Sequence, residues 1–158
     1  MRGKIKKIKT VICSLLCIYI LCSIYPIFMP TEPIDLPKAE EVGKVIFWDK
    51  GEEVCILSEK EEIDDFMDHV SLLNAAHTEP SFLYWKVAAR SSDVECYVLD
   101  KNDEPLRGIW SRPGFLQVYY NGSETGSSCY VVQTFEYLIL KKDPIRDYLK
   151  TKGWYGKI

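Results

Sequence analysis

Three kinds of residue in this 158-residue chain have types and spacings that could do chemistry: cysteine, histidine and clustered carboxylates. Cys55, Cys96 and Cys129 each fall within or beside a stretch that reads as strand. Outside the cytoplasm two of them would pair, and Cys96–Cys129 is the bridge we expect, although composition leaves all three pairings open. No C-x-x-C occurs, so neither a dithiol redox site nor a zinc ribbon is supported. The two histidines, His69 and His77, belong to no metal-ligand spacing. No metal and no cofactor are expected. Glu61, Glu62, Asp64, Asp65 and Asp68 crowd one short stretch. Paired carboxylates do acid–base work only when enclosure shifts their pKa values. On the polar side of a helix, close to its N-terminus, they read instead as a solvated acidic face. Asp64, Asp65 and Asp68 are therefore candidates for meeting a cationic partner, where they would mainly raise the on-rate. Trp110 with Arg107 and Arg112 forms a second candidate partner surface, since Trp and Arg recur at interface hot spots. G-x-S-x-G, P-loop and G-x-G-x-x-G motifs are absent, and no catalytic residue is assigned.

These residues need elements to position them. KVIFWD (44–49) and EVCIL (53–57) read as strands joined through Lys50-Gly51 in a tight hairpin. Ser58, with Glu61 three residues on, predicts a capping box opening a helix over 59–74. Ile63, Phe66, Met67, Val70 and Leu73 recur along it at three- and four-residue steps, giving one apolar face. FLYWKVAA (82–89), VECYVL (94–99), 106–110 and 115–120 read as further strands, with Asp100–Asp103 as a turn and 121–128 as a polar loop. Residues 129–140 fit neither period and stay open between strand and helix. Asp143-Pro144 predicts a helix to about Lys152, with Pro at its first position. The expected fold is α+β: an antiparallel sheet with one or two helices packed on one face.

The N-terminus sets the location. Residues 1–9 hold five cations, and no carboxylate precedes Glu32, so residues 31–158 carry 15 Lys/Arg against 23 Asp/Glu, a net −8. An acidic domain of this kind is a poor match to nucleic acid, which is excluded as a partner. Thr10–Pro30 contains no charged side chain. At ~1.5 Å per residue it spans about 30 Å, the hydrocarbon thickness of a bilayer. It is too long for a cleaved signal peptide and no small-x-small site follows it, so an uncleaved signal anchor is expected, with cleavage and secretion as the alternative. The positive-inside rule places 1–9 in the cytoplasm and the rest outside. The expected organisation is a basic cytoplasmic segment (1–9), a transmembrane anchor (10–30), a Pro-rich acidic tether (31–41) and an extracytoplasmic domain (42–158) in the cell membrane. Within this layout the chain reads as a single-pass, non-enzymatic module that captures or senses a protein partner. Neutralisation of a toxin, as by an immunity protein, is one version. The alternative is an accessory subunit of an envelope complex that associates through residues 10–30.

Overall fold

The computed structural model describes the backbone of residues 2–78, 94–120, 123–138, 140 and 142–156, and the side chains of 8–21, 25, 28–78, 94–120, 126–134, 136–137, 140 and 142–156. The chain forms two compact units, Met1–Pro30 and Thr31–Ile158. The strand expected over 82–89 lies outside the described residues.

The first unit is helix α1 (Arg2–Ile24) and a 3-10 turn over Tyr25–Phe28. Every described side chain from Ile8 to Leu21 is exposed, so α1 turns no stripe toward a core. The transmembrane span expected over 10–30 lacks support at this level: among the described residues, no helix is long and apolar enough to cross a membrane.

The second unit is built on a seven-stranded antiparallel sheet. Its strands are β1 (Val42–Asp49), β2 (Glu52–Leu57), β3 (Ala75–Thr78), β4 (Val94–Asp100), β5 (Pro105–Arg112), β6 (Phe115–Tyr120) and β7 (Ser123–Val132), in the order β2-β1-β4-β5-β6-β7-β3. Lys50 and Gly51 both take positive φ (56° and 82°), the two-residue hairpin turn whose twist suits the strands it joins. Gly43 is required by a close approach: a Cβ there would lie 2.4 Å from the Asp100 carbonyl oxygen, where the β1–β4 register shifts.

One face of the sheet is covered by α2 (Lys60–Ser71) and α4 (Pro144–Thr151); a single turn, α3 (Phe135–Leu138), precedes the latter. Ile63, Phe66, Met67 and Val70 of α2, with Ile145, Tyr148 and Leu149 of α4, meet Val45, Phe47, Leu57, Cys96, Val98, Ile109 and Val118 from the strands. The capping box expected at Ser58 does not form. Glu59 is the N-cap residue and its side chain makes no capping bond, so α2 begins one residue later than expected. Asp143, by contrast, caps α4: its carboxylate accepts from the amides of Ile145 and Arg146. Ser123–Ser128, expected in a loop, is the first half of β7, where cross-strand pairing with β6 overrides weak local propensity. The ambiguous stretch 129–140 divides between the end of β7 and α3.

Residues 31–41, expected as a stiff, extended tether, belong to the second unit. Ile34 is buried, Leu36 packs on the core, and Asp35 pairs with Arg107 at 3.5 Å. The Glu32 amide donates to the Ala75 carbonyl on edge strand β3, while the Gly156 amide donates to the Val54 carbonyl on edge strand β2.

Candidate functional site

The acidic side of α2 is built by the same periodicity that buries its other side. Glu61, Asp64, Asp68 and Leu72 follow one another at steps of three, four and four, opposite Ile63, Phe66, Met67 and Val70. Glu61 and Asp68 are exposed and Asp64 is half-buried. Leu72, the C-cap residue of α2, is 83% exposed.

Asp65 does not belong to this stripe. It faces α4, where its carboxylate accepts from the Tyr148 hydroxyl and binds the Lys152 ammonium at 2.7 Å. These hydrogen bonds hold Asp65 below the usual carboxylate range. Of the three aspartates expected as a partner surface, Asp64 and Asp68 remain available, and Asp65 is a fastener between two helices.

The surface expected from Trp110, Arg107 and Arg112 is divided between the two faces of the sheet. Strand residues alternate in direction, so Arg107 lies on the side of the buried Ile109 and Ser111, whereas Trp110 and Arg112 lie on the other. Arg107 packs over the Tyr120 ring at 4.6 Å and pairs with Asp35, a structural role that ties 31–41 to the sheet. On the opposite face Trp110 meets Tyr119 edge-on at 4.9 Å, and Arg112 sits 5.9 Å over the Trp110 ring. Glu95 pairs with Trp110 across β4 and β5 and accepts from the Tyr97 hydroxyl at 3.0 Å.

The expected Cys96–Cys129 bridge is ruled out by register. Cys96 pairs with Ile109 and Cys129 with Gln117, residues of opposite parity, so the two thiols point to opposite faces. They also stand three strands apart, about 14 Å at ~4.8 Å per strand, beyond the roughly 7 Å between Cα atoms that a disulfide spans. None of Cys55, Cys96 and Cys129 is in a disulfide. Burial, helped by neighbouring Cys55, pushes the Cys96 thiol up, which marks an inert core cysteine.

Two polar clusters escaped the sequence reading, because their partners lie far apart in the chain. Asp49, at the end of β1, accepts from Nε and Nη2 of Arg146 at 2.8 and 2.7 Å, and from the Tyr155 hydroxyl. Burial opposes its charge, but these hydrogen bonds outweigh it and keep Asp49 below the ordinary value. Beside it, the Ser111 hydroxyl donates to Asp143 at 2.7 Å. Burial dominates there and raises Asp143, whose Oδ2 is buried without a hydrogen-bond partner among the described residues. A cleft of about 300 Å³ near the start of α2 is lined by Val42, Ser58, Lys60, Ile63 and Lys101, its polar side chains exposed to water. Among the described residues no group of three or more His, Cys, Asp or Glu side chains is placed to hold a metal ion.

The geometry defines a small α+β domain with a helix-covered core and an acidic helix on its outer surface. No protein-family model, curated protein or solved structure matches the chain.

Proposed function

We propose that this chain is a membrane-anchored binding module without catalytic chemistry, whose domain captures a cationic protein partner outside the cytoplasm. The observation that carries the reading is the stripe Glu61, Asp64, Asp68 and Leu72, an acidic row that ends in a Leu 83% exposed. Carboxylates steer a basic partner inward, and one well-placed apolar side chain gives it something to desolvate. The net charge of −8 over residues 31–158 adds to the same field. Cross-strand addition is a less suitable mode, because both sheet edges already accept a backbone hydrogen bond from elsewhere in the chain.

The test is cross-linking and affinity capture of the full-length protein from its own membrane, followed by mass spectrometry. One dominant partner should be retained by the wild type, and at least tenfold less by Asp64→Lys with Asp68→Lys. Asp65 is left untouched, so α2 stays fastened to α4. Equal retention by the variant, or an empty capture repeated at low salt, would sink this reading.

The anchor rests on the uncharged run Thr10–Pro30 and the five cations before it. Leu16→Lys with Ile20→Lys adds two charges that each cost about 2.5–3.5 kcal/mol near the centre of a span. The variant should move from the carbonate-resistant membrane pellet into the soluble fraction. A wild type already extracted by carbonate would refute the anchor.

A further inference from the structure

Helices α2 and α4 meet in a contact made largely of titratable groups. The His69 and Tyr148 rings stack with centroids 4.1 Å apart and planes 18° from parallel. Tyr148 also touches Phe66 at 5.9 Å and Trp154, edge-on, at 5.7 Å. Its hydroxyl donates to Asp65, and Lys152, bound to the same carboxylate, lies 5.6 Å from the Tyr148 centroid and 5.9 Å from that of Trp154. Downstream of this contact, Tyr155 and Gly156 reach back to Asp49 and to Val54 on edge strand β2.

We propose that the His69–Tyr148 stack, braced by Asp65 and Lys152, is a proton-sensitive clasp: it holds α4 and residues 154–156 in place while His69 is neutral, and loosens when His69 is protonated. The reason is geometric. His69 Nε2 is buried and, among the described residues, has no hydrogen-bond acceptor, so an imidazolium in this position would carry an unpaired N–H. Its one close anion on α2, Asp65, is already engaged by Tyr148 and Lys152. From α4 and its end, Asp147 attracts a charge at His69, Lys152 repels it, and Tyr148 is uncharged; Glu62 and Cys55 act on the Tyr148 hydroxyl. Burial prevails and lowers His69, with Lys152 adding to it against Asp65 and Asp147. An imidazolium regains a hydrogen-bond acceptor by leaving the stack, and Tyr148 then loses the ring that presses it onto Phe66.

The sign of the pH dependence follows. The folded state binds the proton more weakly than a free histidine, whose pKa is about 6.5, so closure is favoured above that value and weakens as pH falls toward the folded one. Asp49 and Asp65, both held low, lose their contribution only below the ordinary carboxylate value of about 3.9, a separate window.

Hydrogen exchange of the full-length chain, corrected for intrinsic rates, tests this between pH 7.5 and 5.5. Amides of 145–156 should lose about 3- to 10-fold in protection, the upper figure being the linkage limit over the roughly one pH unit of this range that lies below about 6.5, while those of β5 and β6 hold steady. His69→Gln should flatten that dependence and keep the protection seen at pH 7.5. Wild-type protection that ignores pH, or an equal slope in His69→Gln, would overturn the proposal. Should that variant fail to fold, NMR titration of the His69 ring in the wild type decides. A midpoint below that of free histidine, shared with the loss of protection, supports the clasp; a midpoint at or above it does not.

Discussion

Arg146→Ala is expected to cost about 3–5 kcal/mol of folding stability, the loss typical of a buried charge left without its partner. Asp49 has 3% of its side chain exposed and Arg146 20%, and the guanidinium supplies two of the three hydrogen bonds the carboxylate receives. After truncation Asp49 keeps, among the described residues, only the Tyr155 hydroxyl as a hydrogen-bond donor, while its charge still sits at the end of β1. A typical domain is stable by 5–15 kcal/mol, so the variant would stand near the edge of folding. Urea unfolding of the full chain in a mild detergent, followed by tryptophan fluorescence, measures the loss. The Asp49→Ala, Arg146→Ala double variant should lose less than the two single losses added together, because it leaves no orphaned charge. A single-variant loss under 1 kcal/mol would mean that this pair does not hold α4 to the sheet.

Phe66→Ala should cost a similar amount, about 3–5 kcal/mol, for a different reason. Phe66 is fully buried and meets Phe47 of β1 edge-on at 4.9 Å, with Tyr148 of α4 on another side. Removing the ring opens a cavity shared by three elements, none of which can shift alone to fill it. The same unfolding experiment should show a markedly smaller loss for Phe66→Leu, which keeps much of the volume. Equal losses would indicate that the edge-on contact, and not the filled space, matters at this position.

What the sequence discloses here is what local chemistry decides. Lys50-Gly51 announces the hairpin because its turn needs two residues at positive φ. Asp143-Pro144 announces α4 because its cap and first residue are adjacent in the chain. The core side of α2 is legible from Ile63, Phe66, Met67 and Val70, since helical period and burial coincide. Long-range register is not written locally. Cys96 and Cys129 read as a plausible bridge until the pairings Cys96–Ile109 and Gln117–Cys129 show that one parity separates them. Asp65 looks like its neighbours Asp64 and Asp68, and only α4, eighty residues on, distinguishes it. The pairing of Asp49 with Arg146 spans 97 positions, with no sequence signal to mark it. Residues 31–41 carry prolines and acids that suggest a spacer, yet Ile34 and Leu36 are enough to draw them onto the core.

The two backbone hydrogen bonds made at the edges of the sheet have a consequence for solubility. An open seven-stranded sheet offers two rows of unsatisfied amides and carbonyls, and β2 carries Val54, Cys55, Ile56 and Leu57 in succession, a composition suited to growth of a fibre by strand stacking. Glu32 and Gly156 each occupy one of those margins. A proteolytic nick or a fusion that displaces Tyr155 and Gly156 thus does more than shorten a tail: it uncovers a template on which identical chains could assemble, and turns loss of a surface segment into a hazard of precipitation.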